Sequence, residues 1–276
     1  LKDPIKLSTL FVVATPIGNL GDITVRAAET LKHVSTVVAE DTRVTRKLLN
    51  HIDAHPRLES LHEHTNPERV VEIAQLLESG DIAYVTDAGT PGISDPGSRL
   101  VEAAVQAGHT VEPLPGASAV TTALSITGWS FDRFLFVGFL PRKSGERIDL
   151  LNSVADEPGP VVFYESPNRV RKSLEDVHWV FAERDLVVCR ELTKKFEETF
   201  RGTANDALAH FTNPKGEFVV AIQGSGSSYV KTLSDDEITT VIDEARSNGL
   251  NGRSLVDAVV ESTGAPKSRV YPLTLK

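Results

Sequence analysis

Short apolar runs rich in β-branched residues alternate with helical stretches along the first 125 residues. The stretches between the runs have apolar side chains at helical spacing, and three of them begin with Asp or Asn (Asp22, Asp41 and Asn66), which favour the N-cap of a helix. This alternation predicts β-α-β units and a mostly parallel sheet. The predicted strands are LFVVAT (10–15), TVVAE (36–40), IAYVTD (82–87) and TVEPLP (110–115), with helices within 22–34, 41–52, 66–80 and 98–108.

The pattern changes within ITGWSFDRFLF (126–136), where we place a domain boundary. Several of the strands that follow have no helix between them, which predicts a mixed sheet. GSGSSYV (224–230) has the composition of a flexible linker, and two or three short helices are predicted beyond it. We therefore predict an α/β protein with two α/β domains, residues 1–127 and 128–226, and a small helical C-terminal extension, residues 227–276. The strands of the second domain are predicted at 134–140, 160–166, 185–192, 197–202 and 217–224.

The composition is that of a globular protein, with 40% hydrophobic and 24% charged residues. No apolar stretch approaches the roughly 18 residues that a membrane span requires, and the first residues run into a strand without a cleavage site. The single cysteine, Cys189, lies in the apolar run LVVCREL and is predicted to pack as a small hydrophobic residue. These features predict a cytoplasmic protein with no membrane partner.

The net charge of −9 argues against a surface built throughout for nucleic acid, because phosphate binding relies on clustered Lys and Arg. Basic residues nevertheless occur in short runs in the second domain. Each run alone is more typical of a solvated face, whereas several runs that converge on one cleft would indicate a phosphate-binding path. The runs are Arg142, Lys143 and Arg147; Arg169, Arg171 and Lys172; and Arg190, Lys194 and Lys195.

Rigid turns follow three of the predicted parallel strands. The turn TDAGTPGISDPGSR holds three glycines and two prolines, so its backbone can approach a ligand closely. Ligands in open α/β sheets bind outside the carboxyl ends of the strands, which favours a binding role. ATPIGNLGD follows the first strand but lacks the G-x-G-x-x-G pattern, so a nicotinamide cofactor is not expected. PLPGASAV presents small residues at a helix start, which leave room for a ring or let helix and strand pack.

Two polar clusters are further candidates for chemistry. Glu40, Asp41, Thr42 and Arg43 leave the second strand together, and Asp41 is equally well explained as a helix cap. The sequence HEH at 62–64 has no Cys or His partners at ligand spacing, so a metal site is not expected there. The chain contains no Walker loop, G-x-S-x-G or H-E-x-x-H motif.

Eight motifs occur in order over residues 10–223: ATPIGNLGDIT, AEDTRVTRKLL, VTDAGTPGISDPG, PLPGASA, FVGFLPRK, VFYESPNR, RELTKKFEE and KGEFVVAI. Together they resemble the small-subunit ribosomal RNA methyltransferases of the tetrapyrrole methylase (class III) superfamily. The resemblance implies the tetrapyrrole methylase fold and S-adenosylmethionine as methyl donor. It also implies methylation of the ribose 2'-hydroxyl of a cytidine in 16S ribosomal RNA, at the decoding centre.

The same resemblance implies a homodimer that acts on the small ribosomal subunit and binds its cofactor in the cleft between the two domains. At two of the expected cofactor contacts the chain departs from many porphyrinoid-modifying relatives, which have Asp where Thr90 stands and Pro where Ile17 stands. The expected contacts are Pro16, Ile17, Gly18, Ala88, Gly89, Thr90, Ile93, Ser118, Ala119, Tyr164, Glu165 and Leu192.

A ribose hydroxyl is weakly acidic, so a base, or a cation that lowers its pKa, should help the transfer, and no metal is required. The candidates are Glu165, Asp41 and Lys194, with Arg43 as an anchor for phosphate or carboxylate, and the sequence does not choose among them. Two alternative functions stay open: a methyltransferase of a porphyrinoid small molecule, and a non-catalytic module that binds RNA or a nucleotide. The EDTR and FYESPNR motifs and the C-terminal extension favour RNA.

The extension has two interpretations. The segment GRSLVDAVVESTGAPKSRVYPLTL resembles a helix-turn-helix, in which Lys267 and Arg269 would face phosphate. Alternatively, its helices pack over the dimer. Residues 229–276 contain six basic and seven acidic residues, and this balance provides only weak electrostatic attraction for RNA.

Overall fold

The computed structural model describes residues 7–62, 65–92, 97–226, 234–263, 265 and 267–275. The strands are β1 (Thr9–Val13), β2 (Thr36–Ala39), β3 (Arg57–Ser60), β4 (Ile82–Val85), β5 (Thr110–Leu114), β6 (Leu135–Phe139), β7 (Val161–Glu165), β8 (Leu186–Arg190), β9 (Glu198–Gly202) and β10 (Phe218–Ile222). The helices are α1 (Val25–His33), α2 (Thr42–His51), α3 (Pro67–Gln75), α4 (Ser98–Gln106), α5 (Ala119–Ser125), α6 (Ser144–Ser153), α7 (Val170–Phe181), α8 (Ala204–His210), α9 (Asp235–Ser247), α10 (Gly252–Thr263) and α11 (Lys267–Leu273).

The first sheet is parallel throughout and has the strand order β3-β2-β4-β1-β5. Two of its three interior strands, β2 and β4, are buried at every residue, and this burial explains why their sequences are almost entirely apolar. Helices α1 and α2 cover one face, where Leu31 and Leu48 pack in one cluster with Val37. Helices α3 and α4 cover the other face, where Ile73 and Leu100 join Tyr84. All carboxyl ends of these strands therefore point to one edge of the domain.

The second sheet is mixed, with the order β6-β7-β10-β8-β9. β6 runs parallel to β7, whereas β10 is antiparallel to both β7 and β8, and β9 is antiparallel to β8. Helices α6, α7 and α8 pack on one face through Leu151, Leu174 and Ala207. The architecture confirms the predicted fold class of two α/β domains, one parallel and one mixed, with a helical C-terminal end.

Helix α5 joins the two domains. It follows β5 of the first sheet, but its buried residues Ala123 and Leu124 pack with Val187 and Ala221 of the second sheet. The junction therefore lies near α5, and the predicted boundary at 127/128 stays a prediction, as does the one at 226/227. No helix among the described residues is long and apolar enough to span a membrane.

Helices α9, α10 and α11 share a hydrophobic cluster of their own, which includes Ile242, Val256 and Val270. The two cations that the sequence assigned to phosphate have acidic partners within this unit. Lys267 Nζ lies 2.5 Å from Asp257, and Arg269 pairs with Asp235 at 2.8 Å. The predicted linker 224–230 falls largely outside the described residues.

Local details differ from the sequence prediction at three places. The expectation that several strands of the second domain follow one another without a helix is wrong, because α6, α7 and α8 separate them and only β8 and β9 are directly consecutive. Strand β3 was not predicted, because it is an edge strand of sequence RLES without a fully buried residue. Helix α1 is capped by Thr24, whose side chain accepts from Ala27 N, and not by Asp22, which belongs to a preceding 3-10 turn. The caps Asp41 of α2 and Asn66 of α3 are confirmed.

Candidate active site

A cavity of about 520 Å³ lies where the carboxyl ends of the first sheet face the second sheet. The first domain contributes the ends of β1, β2 and β4 and the start of α5. The second domain contributes one sheet face and the turn after β8. The lining residues are Ile17, Glu40, Asp87, Ala88, Gly89, Thr90, Ser118, Ala119, Phe139, Tyr164, Glu165, Ser166, Pro167, Cys189, Leu192, Lys194, Glu217, Phe218 and Val219.

Most of the predicted cofactor contacts meet in this cavity although they come from five separate segments. Those in the lining are Ile17, Ala88, Gly89, Thr90, Ser118, Ala119, Tyr164, Glu165 and Leu192. Pro16 and Gly18 flank Ile17 without belonging to the described lining, and Ile93 lies outside the described residues.

Backbone hydrogen bonds hold the turn after β4 against the end of β1. Thr15 N donates to Gly89 O at 2.9 Å, and Gly89 N donates to Thr15 O at 3.0 Å. Thr15 Oγ1 donates to Thr86 O at 3.1 Å. Gly89 has a φ of 82°, a left-handed conformation that a residue with a Cβ adopts only with strain. The predicted binding turn is therefore rigid, and its shape depends on glycine.

A strained turn after β8 brings the second domain's side chains to the cavity. Glu191 and Thr193 both have positive φ, 52° and 65°, and between them Leu192 enters the lining. Asn19 N donates to Thr193 Oγ1 at 3.0 Å, so the loop after β1 contacts this turn directly. The two domains thus meet at the cavity edge through backbone and side chain.

Lys194 lines the cavity as a cation. Its Nζ lies 3.0 Å from Glu191 Oε1 and 2.6 Å from Glu217 Oε2. Burial alone would lower the pKa of Lys194, but the hydrogen bonds to the two carboxylates outweigh it, and the net pKa is raised. Lys194 therefore stays protonated at neutral pH. This geometry fits a fixed positive charge and does not fit a general base.

Glu165 borders the cavity but its carboxylate is engaged by the protein. The side chain is 0% exposed, Oε1 accepts from Ser166 N at 2.8 Å, and Oε2 accepts from Ser173 Oγ at 2.6 Å. Arg169 Nη2 lies 3.2 Å from Oε2. These contacts tie the end of β7 to the first turns of α7, which fits a positioning role better than the predicted role as a base.

Glu165→Gln should therefore lower stability more than it changes catalysis. The amide cannot accept from Ser166, Ser173 and Arg169 together, and hydrogen bonds to a charged group contribute about 1.5–3 kcal/mol. We expect urea unfolding to show a loss in that range, while the pH profile of kcat keeps its shape. A variant of unchanged stability that loses the acid limb of the profile would contradict this assignment.

Asp41 and Arg43 do not belong to the described cavity lining, although the neighbouring Glu40 does, so their catalytic role stays a prediction. They pair with each other at 2.6 Å, and the Arg43 side chain is 88% exposed. The hydrogen bond from the Arg43 side chain lowers the pKa of Asp41 to about 2. Asp41 Oδ1 also accepts from Arg43 N at 2.8 Å as the cap of α2. The interpretation as a helix cap is the one that the structure supports.

Asp87 is the carboxylate that the sequence analysis did not single out. It follows β4, lines the cavity, and its Oδ1 accepts from Asp41 N at 3.0 Å. Burial raises the pKa of Asp87, and the nearby Asp41 carboxylate adds to the shift. Its position at the end of a central parallel strand was the available signal. Phe139, Cys189 and Glu217 were also missed as cavity residues, whereas Glu40 was singled out only as part of the EDTR cluster.

Several of the basic residues that appeared as charge runs are internal. Arg147 is 4% exposed and pairs with Asp176 at 2.5 Å. Arg169 donates to Leu140 O and Pro141 O, and Arg171 donates to two carbonyls at the end of α8. These arginines connect elements of the second domain, so only the exposed members of the runs can meet phosphate.

No group of three or more His, Cys, Asp or Glu side chains in the described part of the chain is arranged to hold a metal ion. Of the HEH sequence, His62 is described, whereas positions 63 and 64 lie outside the described residues.

Comparison with known proteins agrees with the fold and the motif order. Residues 9–208 match the family described as Tetrapyrrole (Corrin/Porphyrin) Methylases. A Synechocystis sp. protein named ribosomal RNA small subunit methyltransferase I is 42% identical over 274 residues, 98% of each chain. A Thermotoga maritima protein of the same name is 42% identical over 221 residues, which cover 79% of this chain and 99% of that protein. About a fifth of this chain therefore has no counterpart in the latter.

Solved structures support the fold alone, because their sequence identity is low. A cobalt precorrin-4 methyltransferase superposes with a TM-score of 0.56 at 18% identity, covering 77% of this chain and 94% of that one. A diphthine synthase superposes with a TM-score of 0.59 at 17% identity, covering 79% and 90%.

Proposed function

The chain belongs to the tetrapyrrole methylase family and to its group named ribosomal RNA small subunit methyltransferase I, and from this premise we propose the reaction that it catalyses. It is a methyltransferase. We propose that it transfers a methyl group from S-adenosylmethionine to the ribose 2'-hydroxyl of a cytidine in 16S ribosomal RNA, at the decoding centre. The observation that carries the proposal is the interdomain cavity, in which the Gly/Pro turn after β4 faces the second sheet.

The cavity suits S-adenosylmethionine in size and in chemistry. Its volume of about 520 Å³ is within the range of small-molecule sites. Ile17, Leu192 and Val219 offer apolar surface to a base, and Lys194 offers a cation to a carboxylate. Glu40 and Asp87 add acidic groups that suit hydroxyls and positive charge. When bound, this cofactor supplies a methyl group already activated by a sulfonium, so the protein mainly has to align donor and acceptor.

Asp87 is the residue that we propose as general base. A carboxylate with a raised pKa accepts a hydroxyl proton more readily than an ordinary one, and Asp87 is the cavity carboxylate for which burial raises the pKa. Lys194 also lines the cavity, and we propose that its charged ammonium group, which Glu191 and Glu217 hold in place, favours negative charge that develops on the ribose oxygen. No metal is required for these roles.

The proposed partners are the small ribosomal subunit and a second copy of the chain. Phosphate contacts would come from exposed cations of the second domain, such as Arg142, Lys172 and Lys195, because Arg147, Arg169 and Arg171 are engaged internally. Binding of the RNA should therefore weaken with rising salt much more than binding of the cofactor. A homodimer is proposed on the basis of the family.

The decisive experiment is mass spectrometry of nucleosides after incubation of isolated small subunits with the protein and labelled S-adenosylmethionine. The label should appear in a 2'-O-methylcytidine of 16S ribosomal RNA. Turnover of a porphyrinoid with no transfer to ribosomal RNA would overturn the proposed substrate. Cofactor binding with no transfer to either would instead favour a non-catalytic module.

A chain that ends after Gly226 should keep its cofactor affinity. Helices α9–α11 have a hydrophobic core of their own and contribute no residue to the described cavity lining. The truncated chain keeps Ser225, so the hydrogen bond from Ser225 N to Glu157 O at 2.8 Å is preserved. Calorimetry with S-adenosylmethionine tests this.

Two further measurements on the same truncated chain separate the interpretations of the extension. If the truncated chain binds the small subunit more weakly but keeps the mass of a dimer, the extension contacts RNA. If it no longer has the mass of a dimer, the extension packs at the dimer interface. Loss of cofactor affinity would contradict the independence of the three helices.

A further inference from the structure

Phe139 is a large apolar side chain that is 54% exposed at the cavity. Its ring meets Tyr164 edge-to-face at a centroid distance of 5.6 Å, and Phe136 supports Tyr164 from another side at 4.9 Å. One part of the Phe139 ring is thus held by Tyr164, and another part is open to solvent. An open aromatic ring on a fixed support is a surface on which a flat group can stack.

A β-bulge turns Phe139 toward the cavity. Phe136 pairs with Val162 and Phe139 pairs with Tyr164, so two residues of β6 stand opposite one residue of β7. The extra residue allows Gly138 to adopt a φ of 69°. In a regular strand Gly138 would pair with Tyr164, and Phe139 would point to the other face, where Val137 packs. The exposed ring is therefore placed by a specific backbone feature.

The loop after Phe139 is held rigid by two internal arginines. Arg147 Nη1 donates to Pro141 O at 3.1 Å and to Arg142 O at 3.3 Å. Arg169 Nη2 donates to Pro141 O at 3.2 Å. The side chains of Arg142 and Lys143 stay exposed on this loop. A positioned aromatic ring thus lies within four residues of two exposed cations, on a loop whose carbonyls are fixed.

We propose that Phe139 is the stacking platform for the base of the nucleotide that is methylated, and that Arg142 contacts the adjacent RNA backbone. Sequence-specific RNA recognition stacks unpaired bases on aromatic side chains, and cations track the phosphates. This inference rests on the proposed function, because it places the acceptor nucleotide at the cavity mouth. Tyr164 acts as the support of the ring, and the deeper lining is left to the cofactor.

The test measures binding, so that it does not depend on turnover. The probe is a short single-stranded cytidine-containing oligoribonucleotide, titrated by fluorescence anisotropy in the presence of S-adenosylhomocysteine. Phe139→Ala should weaken binding roughly 10-fold, the effect of losing one base stack. Phe139→Trp should bind within about twofold of the wild type, since it keeps a stacking surface. Phe134→Ala is the matched control, an exposed Phe five residues earlier that is 42% exposed and outside the described lining.

Arg142→Gln should weaken binding of the oligoribonucleotide. The slope of the logarithm of the binding constant against the logarithm of the salt concentration should fall by about one unit, the effect of losing one phosphate contact. Calorimetry with S-adenosylhomocysteine should give the wild-type affinity for all four variants, which also shows that they are folded. Loss of that affinity in Phe139→Ala would overturn the proposal by assigning the ring to the cofactor. Equal effects of Phe139→Ala and Phe134→Ala would overturn it too. Failure of the wild type to methylate ribosomal RNA would count against the proposed function alone.

Discussion

Replacing Gly89 with Val is expected to abolish the binding of S-adenosylmethionine. Gly89 has a φ of 82°, and a non-glycine residue in the left-handed region costs about 1–2 kcal/mol. A Cβ at this position would lie 3.6 Å from Ile17 Cγ2 and 3.8 Å from Ala117 O, already in contact on two sides. The two further methyl groups of Val must therefore displace these neighbours or enter the cavity. Titration calorimetry should show no binding heat.

Gly92→Val is the matched control for this prediction. Gly92 lies in the same turn and has a φ of 85°, but a Cβ there meets no described atom within 4 Å. It should reproduce the backbone strain without filling the cavity, so its cofactor affinity should be much closer to that of the wild type. Equal losses in the two variants would assign the effect to strain, and unchanged affinity in Gly89→Val would remove the turn from the site.

Asp87→Asn is expected to lower kcat by roughly 10²–10⁴-fold, the usual contribution of a general base, while cofactor affinity stays near that of the wild type. Asn keeps the size of the side chain and an oxygen for the hydrogen bond from Asp41 N. It cannot take up a proton. Single-turnover methylation of small subunits by the two proteins measures the difference.

The pH dependence of kcat gives a second readout. A base acts when it is deprotonated, so kcat should rise with pH through the pKa of Asp87. Because burial raises that pKa above the ordinary 3.8, the rise should occur above that pH, and Asp87→Asn should abolish it. Asp41→Asn should keep the rise but move it to lower pH, because the Asp41 carboxylate adds to the raised pKa of Asp87 and Asn still caps the helix. A wild-type kcat in Asp87→Asn would refute the assignment.

The fold was predictable where one local signal decides the structure. Strands β2 and β4 are buried on both faces, so their sequences are almost entirely apolar, and both were predicted. Strand β3 was missed because an edge strand needs few apolar residues, and its pairing with β2 is a tertiary contact. The cap of α1 was misassigned because Asp22 and Thr24 are both good caps, and local sequence does not rank them.

The cavity was also predictable where a local sequence signal decides the structure. Glycine and proline restrict the backbone wherever they occur, so the turn at Ala88–Thr90 could be recognised, as could the Gly116 turn beside α5. Asp87 and Phe139 were missed because neither type of residue is unusual in its local context. Asp87 reaches the cavity because it follows the end of β4, and Phe139 reaches it because of the bulge in β6.

The sequence by itself determined the two sheets, the rigid turns, the family and the apolar character of Cys189, since each depends on residue type and order along the chain. Only the tertiary structure decided which charges act at the cavity. Asp41 and Arg43 neutralise each other on the surface, Arg147 is buried against Asp176, and Lys194 is held by two glutamates at the cavity wall. The physical reason is that a charged side chain takes its role from its burial and its partners, and partners such as Asp176 for Arg147 and Glu217 for Lys194 lie far away in sequence.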